Sequence, residues 1–184
     1  MNRPSRKSKS FQRRHQAKSG DIILIVCEGE KTEPEYFKDL RNRWKLQSTR
    51  IVICGDECDS APISVVDFAI EKRREIRKDQ EIEIDQTWCV IDYDRHESLR
   101  RAINKAEDNH INVALSCPCF EFWYLLHFEF TTRYFQNSST LCKELTKHLK
   151  KFKIKKYDKR NVPFEVLFPM LDTACKNAED LRKK

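Results

Sequence analysis

Four short apolar runs, each followed by a stretch of helical periodicity, leave few folds open to this chain. Residues 22–27 form a continuous run rich in β-branched side chains and too short for a helix, so they read as a strand buried on both faces. Residues 51–54, 87–91 and 111–115 repeat the pattern. Between them Tyr36, Phe37, Leu40 and Trp44, then Ile63, Val66 and Ile70, then Leu99, Ala102, Ile103 and Ala106 recur at helical spacing as buried faces. An aromatic helix over 120–128 follows the fourth run. Such alternation predicts an α/β fold with a mainly parallel four-stranded sheet flanked by helices. Thr32-Glu33-Pro34-Glu35 has the form of a capping box opening the first helix. Beyond about residue 129 the periodicity is helical only, starting at the Asn137-Ser138-Ser139 turn. The expected organisation is a basic arm over 1–20, an α/β core over 21–128 and a helical extension over 129–184 packed on that core.

Composition narrows the function. The 184 residues suffice for a core that needs neither disulfide nor structural metal. Three glycines leave no room for a Walker loop or a dinucleotide fingerprint, which excludes the ATPases and dehydrogenases built on them. No apolar run approaches the ~20 residues of a membrane span, and no signal-type stretch follows the basic start, so a cytoplasmic protein without membrane contact is expected. The net charge of +7 lies in the arm, which carries Arg3, Arg6, Lys7, Lys9, Arg13, Arg14 and Lys18 and no acid. That leaves 29 of the 36 basic residues against all 29 acids, a formally neutral body. A basic arm attracts a polyanion, because each neutralised phosphate releases a counterion; a solvated leader is the plain alternative. Of eight cysteines, Cys27 and Cys89 fall in strands as small hydrophobes, and Cys54/Cys58 and Cys117/Cys119 lack the usual C-x-x-C zinc spacing. Reduced thiols are expected.

In an open α/β sheet, ligands bind outside the carboxyl ends of the strands. Those ends deliver Glu28, Asp56, then Asp92 and Asp94, and finally Ser116. Carboxylates gathered on one edge repel unless a cation shares them, and oxygen-only ligation suits Mg²⁺ or Mn²⁺. In Asp92-Tyr93-Asp94 both acids can face one ion while Tyr93 turns away.

These segments resemble the motifs of the RloB-like family. Ile25-Val26-Cys27-Glu28-Gly29-Glu30-Lys31-Thr32-Glu33-Pro34-Glu35-Tyr36-Phe37 is similar to its opening motif. Trp88-Cys89-Val90-Ile91-Asp92-Tyr93-Asp94-Arg95-His96 and the run from Ser116 to Phe128 are similar to its second and third, in the same order. The loop around Asp56 departs from the family's more glycine-rich sequence. The resemblance implies a compact branch of the TOPRIM superfamily, linked to restriction and abortive phage-defence loci of prokaryotes. It further implies a glutamate and a D-x-D that bind Mg²⁺.

Glu28, Asp92 and Asp94 are thus the expected metal ligands, with Glu28 also a candidate general base. Glu33 is either catalytic or simply an acid in the first helical turn, and Glu35 is the capping residue. Lys31 either holds a phosphate or is solvated; Arg95 and Ser116 are further substrate-binding candidates, and His96 a candidate proton shuttle. Glu121 either supports the site or favours the helix dipole. His127 reads as a core histidine, and Phe120, Phe122, Trp123 and Tyr124 as core aromatics. The lysines at 147, 150, 151, 153, 155 and 156 either extend a phosphate-binding surface or form a solvated face. The leading expectation is a Mg²⁺-dependent nuclease on DNA or RNA in anti-phage defence. The alternative is a non-catalytic nucleic-acid-binding or signal-sensing subunit of a defence complex, with a protein partner. Deleting residues 1–18 is expected to weaken nucleic-acid affinity and flatten its salt dependence while the fold survives, measurable by fluorescence anisotropy and circular dichroism.

Overall fold

Alternate residues of the first strand enter two different cores. The computed structural model describes residues 21–46, 48–53, 61–93, 98–159 and 163–183. In β1 (Ile23–Cys27), Leu24 and Val26 join one apolar cluster, while Cys27 and the partly buried Ile25 join another. β3 (Gln86–Asp92) repeats this, with Cys89 and Ile91 on the first side and Val90 on the second. The two-residue period of a strand requires that division when both faces are covered.

β1, β3 and β4 (Asn112–Ser116) form a small parallel sheet flanked by helices. β2 (Thr49–Ile53) lies parallel along the other edge of β1, giving the order β2-β1-β3-β4. Helices α1 (Thr32–Trp44), α2 (Pro62–Gln80), α3 (Leu99–Asp108) and α4 (Glu121–Leu126) follow the four strands in turn. After β1 the chain steps outward to β2, then reverses across the sheet to β3 and β4. Right-handed crossovers therefore put α1 on one face and α2 and α3 on the other. The cores agree: Val65, Val66 and Ala69 of α2 pack with Ala102 and Ala106 of α3, whereas Tyr36 of α1 packs in the second cluster with Phe120 and Tyr124. The reversal makes the ends of β1 and β3 the topological switch point, the place where open α/β sheets form their ligand crevice.

The C-terminal portion comprises α5 (Ser138–Lys150), α6 (Phe164–Leu167), a 3₁₀ turn (Phe168–Met170) and α7 (Leu171–Leu181). Leu145, Leu149, Tyr157, Phe164 and Leu167 complete the second core. Asn137 caps α5 by accepting the Thr140 amide at 2.9 Å. No helix among the described residues is long and apolar enough to cross a membrane.

Several local expectations are corrected. β2 begins at Thr49, two residues before the apolar run, and the Cys54/Cys58 pair lies outside the described residues, as does the basic arm. The capping box is not formed. Lys31 occupies the N-cap without a side-chain bond, and Thr32 is already helical and buried, its carbonyl accepting the Tyr124 hydroxyl at 3.3 Å. The first helical bond accordingly runs from the Glu35 amide to the Lys31 carbonyl. Trp44 is 51% exposed because α1 outruns the core there, its ring resting edge-on against Phe168. Ile103 is also exposed, while Leu99, Ala102 and Ala106 carry the packing of α3 against the first core. The aromatic helix is shorter than expected, with Phe120 at its N-cap.

With three glycines in the chain, helix ends must turn without them. Lys45, His110 and Lys153 adopt positive φ of 56°, 56° and 65° after α1, α3 and α5. Each ends its helix in a Schellman motif; after α3 the His110 amide donates to Glu107 and the Ile111 amide to Ala106. A side chain in the left-handed region costs about 1–2 kcal/mol. His110→Gly is therefore expected to raise stability by about 1 kcal/mol, read from urea denaturation.

Candidate functional site

Because Cys27 faces Val90 in register, the residues after β1 leave the sheet beside the end of β3. The Glu28 amide donates to the Val90 carbonyl at 3.1 Å, extending the ladder by one residue. Its carboxylate turns back and accepts the Asp92 amide at 3.0 Å. Glu28 and Asp92 are thereby fixed at the crevice between β1 and β3. Ser116 faces Asp92 from β4, and its carbonyl accepts the Tyr93 amide at 2.7 Å. Tyr93 itself is exposed.

Two further elements bring acids to the same place. Glu33, in the first turn of α1, is 7% exposed, and its carboxylate lies so close to Gly29 that any Cβ there would strike it. A side chain at that position would displace the Glu33 carboxylate. Glu121, at the start of α4, is 1% exposed; it accepts the Tyr157 hydroxyl at 3.1 Å and pairs with the Lys159 ammonium at 3.4 Å. Cys119 lies beside it, its thiol pushed up by burial and by the Glu121 charge.

The electrostatics follow from crowding. Burial, then the charges of Glu33, Glu28 and Glu121, push the Asp92 carboxyl up to about 8, against the opposing pull of Lys159. Asp92 Oδ1 is buried with no hydrogen-bond partner among the described residues. Glu33 is likewise raised, first by burial and then by Glu121, although its own amide and Lys159 act the other way. For Lys159, burial lowers the affinity for its proton, but the Glu121 carboxylate overcomes that and holds it above the ordinary lysine value.

Of the residues expected at the site, Glu28, Asp92 and Ser116 come together and Glu33 joins them. Lys31 is exposed at the N-cap of α1. Asp94, Arg95, His96 and Asp56 lie outside the described residues. His127 is buried, with Nδ1 2.9 Å from the Trp123 carbonyl, and burial pushes its pKa down to about 4, so the ring is neutral. Among the described residues no three His, Cys, Asp or Glu side chains stand close enough to hold a metal ion, and Cys117 is exposed while Cys119 is buried. Tyr157 and Lys159 were not legible as site residues. Glu121 offered a clue, an acid inside the aromatic run Phe120-Glu121-Phe122-Trp123-Tyr124, where a buried charge demands a partner.

A parallel sheet flanked by helices, with acidic residues collected at its switch point, defines an α/β protein with a candidate site at the ends of β1 and β3. The sequence model of the RloB-like protein family matches residues 23–184, from β1 to the chain's end, and the chain belongs to that family. Neither a curated protein nor a solved structure matches it significantly.

The raised Asp92 value has a testable sign. The folded state holds this proton to about pH 8, whereas the unfolded chain releases it near 4. The associated stability is present below pH 4 and is lost as pH rises toward 8. In chelator, Asp92→Asn is expected to match wild type near pH 4 and to exceed it by on the order of 5 kcal/mol at pH 8, measured by denaturant titration.

Proposed function

We propose that this protein is a nuclease dependent on Mg²⁺ or Mn²⁺ that hydrolyses phosphodiester bonds of nucleic acid, with a TOPRIM-like arrangement of acids, in prokaryotic anti-phage defence. The single observation that carries the reading is the Glu28–Asp92 pair, locked by a backbone hydrogen bond at the sheet's switch point with one Asp92 oxygen buried and unpartnered among the described residues. The donors are all oxygen, as a hard divalent cation prefers, and a carboxyl raised by neighbouring acids is the kind of group a cation returns to its charged form. Glu28 and Asp92 would hold the ion together with Asp94. When bound, the ion supplies an activated water and offsets charge on the scissile phosphate.

The chain's own residues have separate tasks. The Asp92 amide fixes the Glu28 carboxylate, so Glu28 is oriented before any ligand arrives. Glu33, whose carboxyl is raised above the ordinary glutamate range by burial, stands in the first turn of α1 as a second candidate to accept or return a proton. Tyr157 and Lys159 hold Glu121 and limit the negative charge around Asp92. Membership of the RloB-like family supports the defence setting, as the resemblance of its motifs implies.

Purified protein is incubated with RNA and DNA panels, with and without Mg²⁺ or Mn²⁺. Metal-dependent cleavage is expected, and Asp92→Asn is expected to reduce it by at least ~10³-fold while leaving the fold and most nucleic-acid binding intact. Glu28→Gln behaves alike and the double variant is little worse, because groups acting as one unit are not additive. A metal-saturated wild type that cuts nothing, yet binds nucleic acid as well as Asp92→Asn does, makes the protein a binding subunit instead.

A further inference from the structure

Charge in the body of the protein is segregated. Between Lys143 and Lys159 lie eight lysines and only two acids, Glu144 and Asp158, leaving 21 of the body's 29 basic residues against 27 of its 29 acids. Helical geometry concentrates the first part of this charge. Leu141, Leu145 and Leu149 bury one face of α5, and Lys143, Lys147 and Lys150 recur at i, i+4 and i+7 on the opposite, exposed face. Glu144, the one acid of α5, is already met by Arg133 at 2.9 Å and Lys147 at 2.8 Å, so it does not offset the remaining lysines.

The chain then doubles back. The Schellman motif after α5, with the Lys153 amide on Lys150 and the Ile154 amide on Leu149, reverses its direction. The returning segment is pinned where the Tyr157 amide meets the Thr146 hydroxyl at 3.2 Å and the Tyr157 hydroxyl meets Glu121. Lys151, Lys153, Lys155 and Lys156 are exposed on this segment, and with Lys143 and Lys150 they form no ion pair among the described residues. Four residues of chain span at most ~14 Å, so Lys155 lies within that reach of Lys159. Lys159 in turn touches the acidic crevice through Glu121. Amid the lysines, Phe152 is 45% exposed, its ring 6.0 Å from Phe128, which stacks on His148.

We infer that the lysine surface over 143–156, with Phe152 as a stacking platform, binds the phosphate backbone of single-stranded nucleic acid and leads it to the Glu28–Asp92 crevice. The inference rests on the nucleic-acid reading above and adds the substrate's form and its path. Single strands combine a backbone-tracking positive surface with bases stacked on aromatic rings, and both are present here. A duplex would leave the Phe152 ring without a base face to cover it.

The test uses the full chain in chelator, so that cleavage does not consume the probe. Variants are Lys150, Lys151, Lys155 and Lys156 all changed to Gln, and separately Phe152→Ala; the changed side chains are exposed, and circular dichroism checks the fold. Anisotropy is followed with labelled single-stranded RNA, single-stranded DNA and duplex DNA across 50–300 mM salt. The quadruple variant is expected to lose at least ~10-fold in single-strand affinity at 100 mM salt, with the log–log salt slope shallower by about 2–3. Phe152→Ala is expected to lose at least ~5-fold on single strands and little on duplex. Wild-type affinity and slope in the quadruple variant overturn the surface and leave binding to the arm. Equal losses on duplex and single strands, with no effect of Phe152→Ala, overturn the single-strand assignment. Loss of binding to phosphatidylserine vesicles with unchanged nucleic-acid binding overturns it in favour of a lipid surface. If the variants bind weakly as expected but wild type cuts nothing with metal, the surface stands and the nuclease reading alone falls.

Discussion

Carboxylates withdrawn from water are costly unless something offsets their charge, and this protein gathers four of them around one crevice. Glu28 is held by the Asp92 amide, and Glu121 by a tyrosine hydroxyl and an ammonium. Glu33 has its own amide, and Asp92 keeps its proton until pH is well above the usual carboxylate range. The surrounding architecture serves this arrangement. The two-sided burial of β1 and β3 fixes their register, and the register sets Glu28 beside Asp92. The aromatic packing of Tyr36, Phe120 and Tyr124 then brings the starts of α1 and α4 together, with Glu33 and Glu121 on them.

The sheet and its acidic edge were legible because both depend on local pattern. A run apolar on both faces names a buried strand, and the next residue is then a strand end, which is how Glu28 and Asp92 could be picked out. Periodicity gave less at the margins. It identifies a face, not how far the core beneath extends, so Trp44 and Ile103 look buried in the sequence and are exposed in the fold. The capping pattern at Thr32 was outweighed by a tertiary contact, the Tyr124 hydroxyl on the Thr32 carbonyl, which no local signal encodes. Tyr157 and Lys159 were invisible for the same reason: their importance comes from Glu121, which lies 36 residues before Tyr157.

Scarcity of glycine shapes the molecule in a quieter way. Gly29 stands where a side chain would displace the Glu33 carboxylate, while four helices end with lysine, glutamate or histidine in the left-handed region. After α5 such an ending turns a lysine-rich helix into a hairpin, so that its positive charge comes back toward the negative crevice.

The crevice draws on residues from Glu28 near one end of the sequence to Lys159 near the other. A growing polypeptide therefore acquires its acids long before it acquires the cation that tempers them. Until the segment around Tyr157 has been synthesised and docked, Glu121 lacks the Tyr157 hydroxyl and the Lys159 ammonium, and Asp92 and Glu33 lack the compensating charge of Lys159. An unfinished or C-terminally clipped chain would then carry an overcharged, unset crevice.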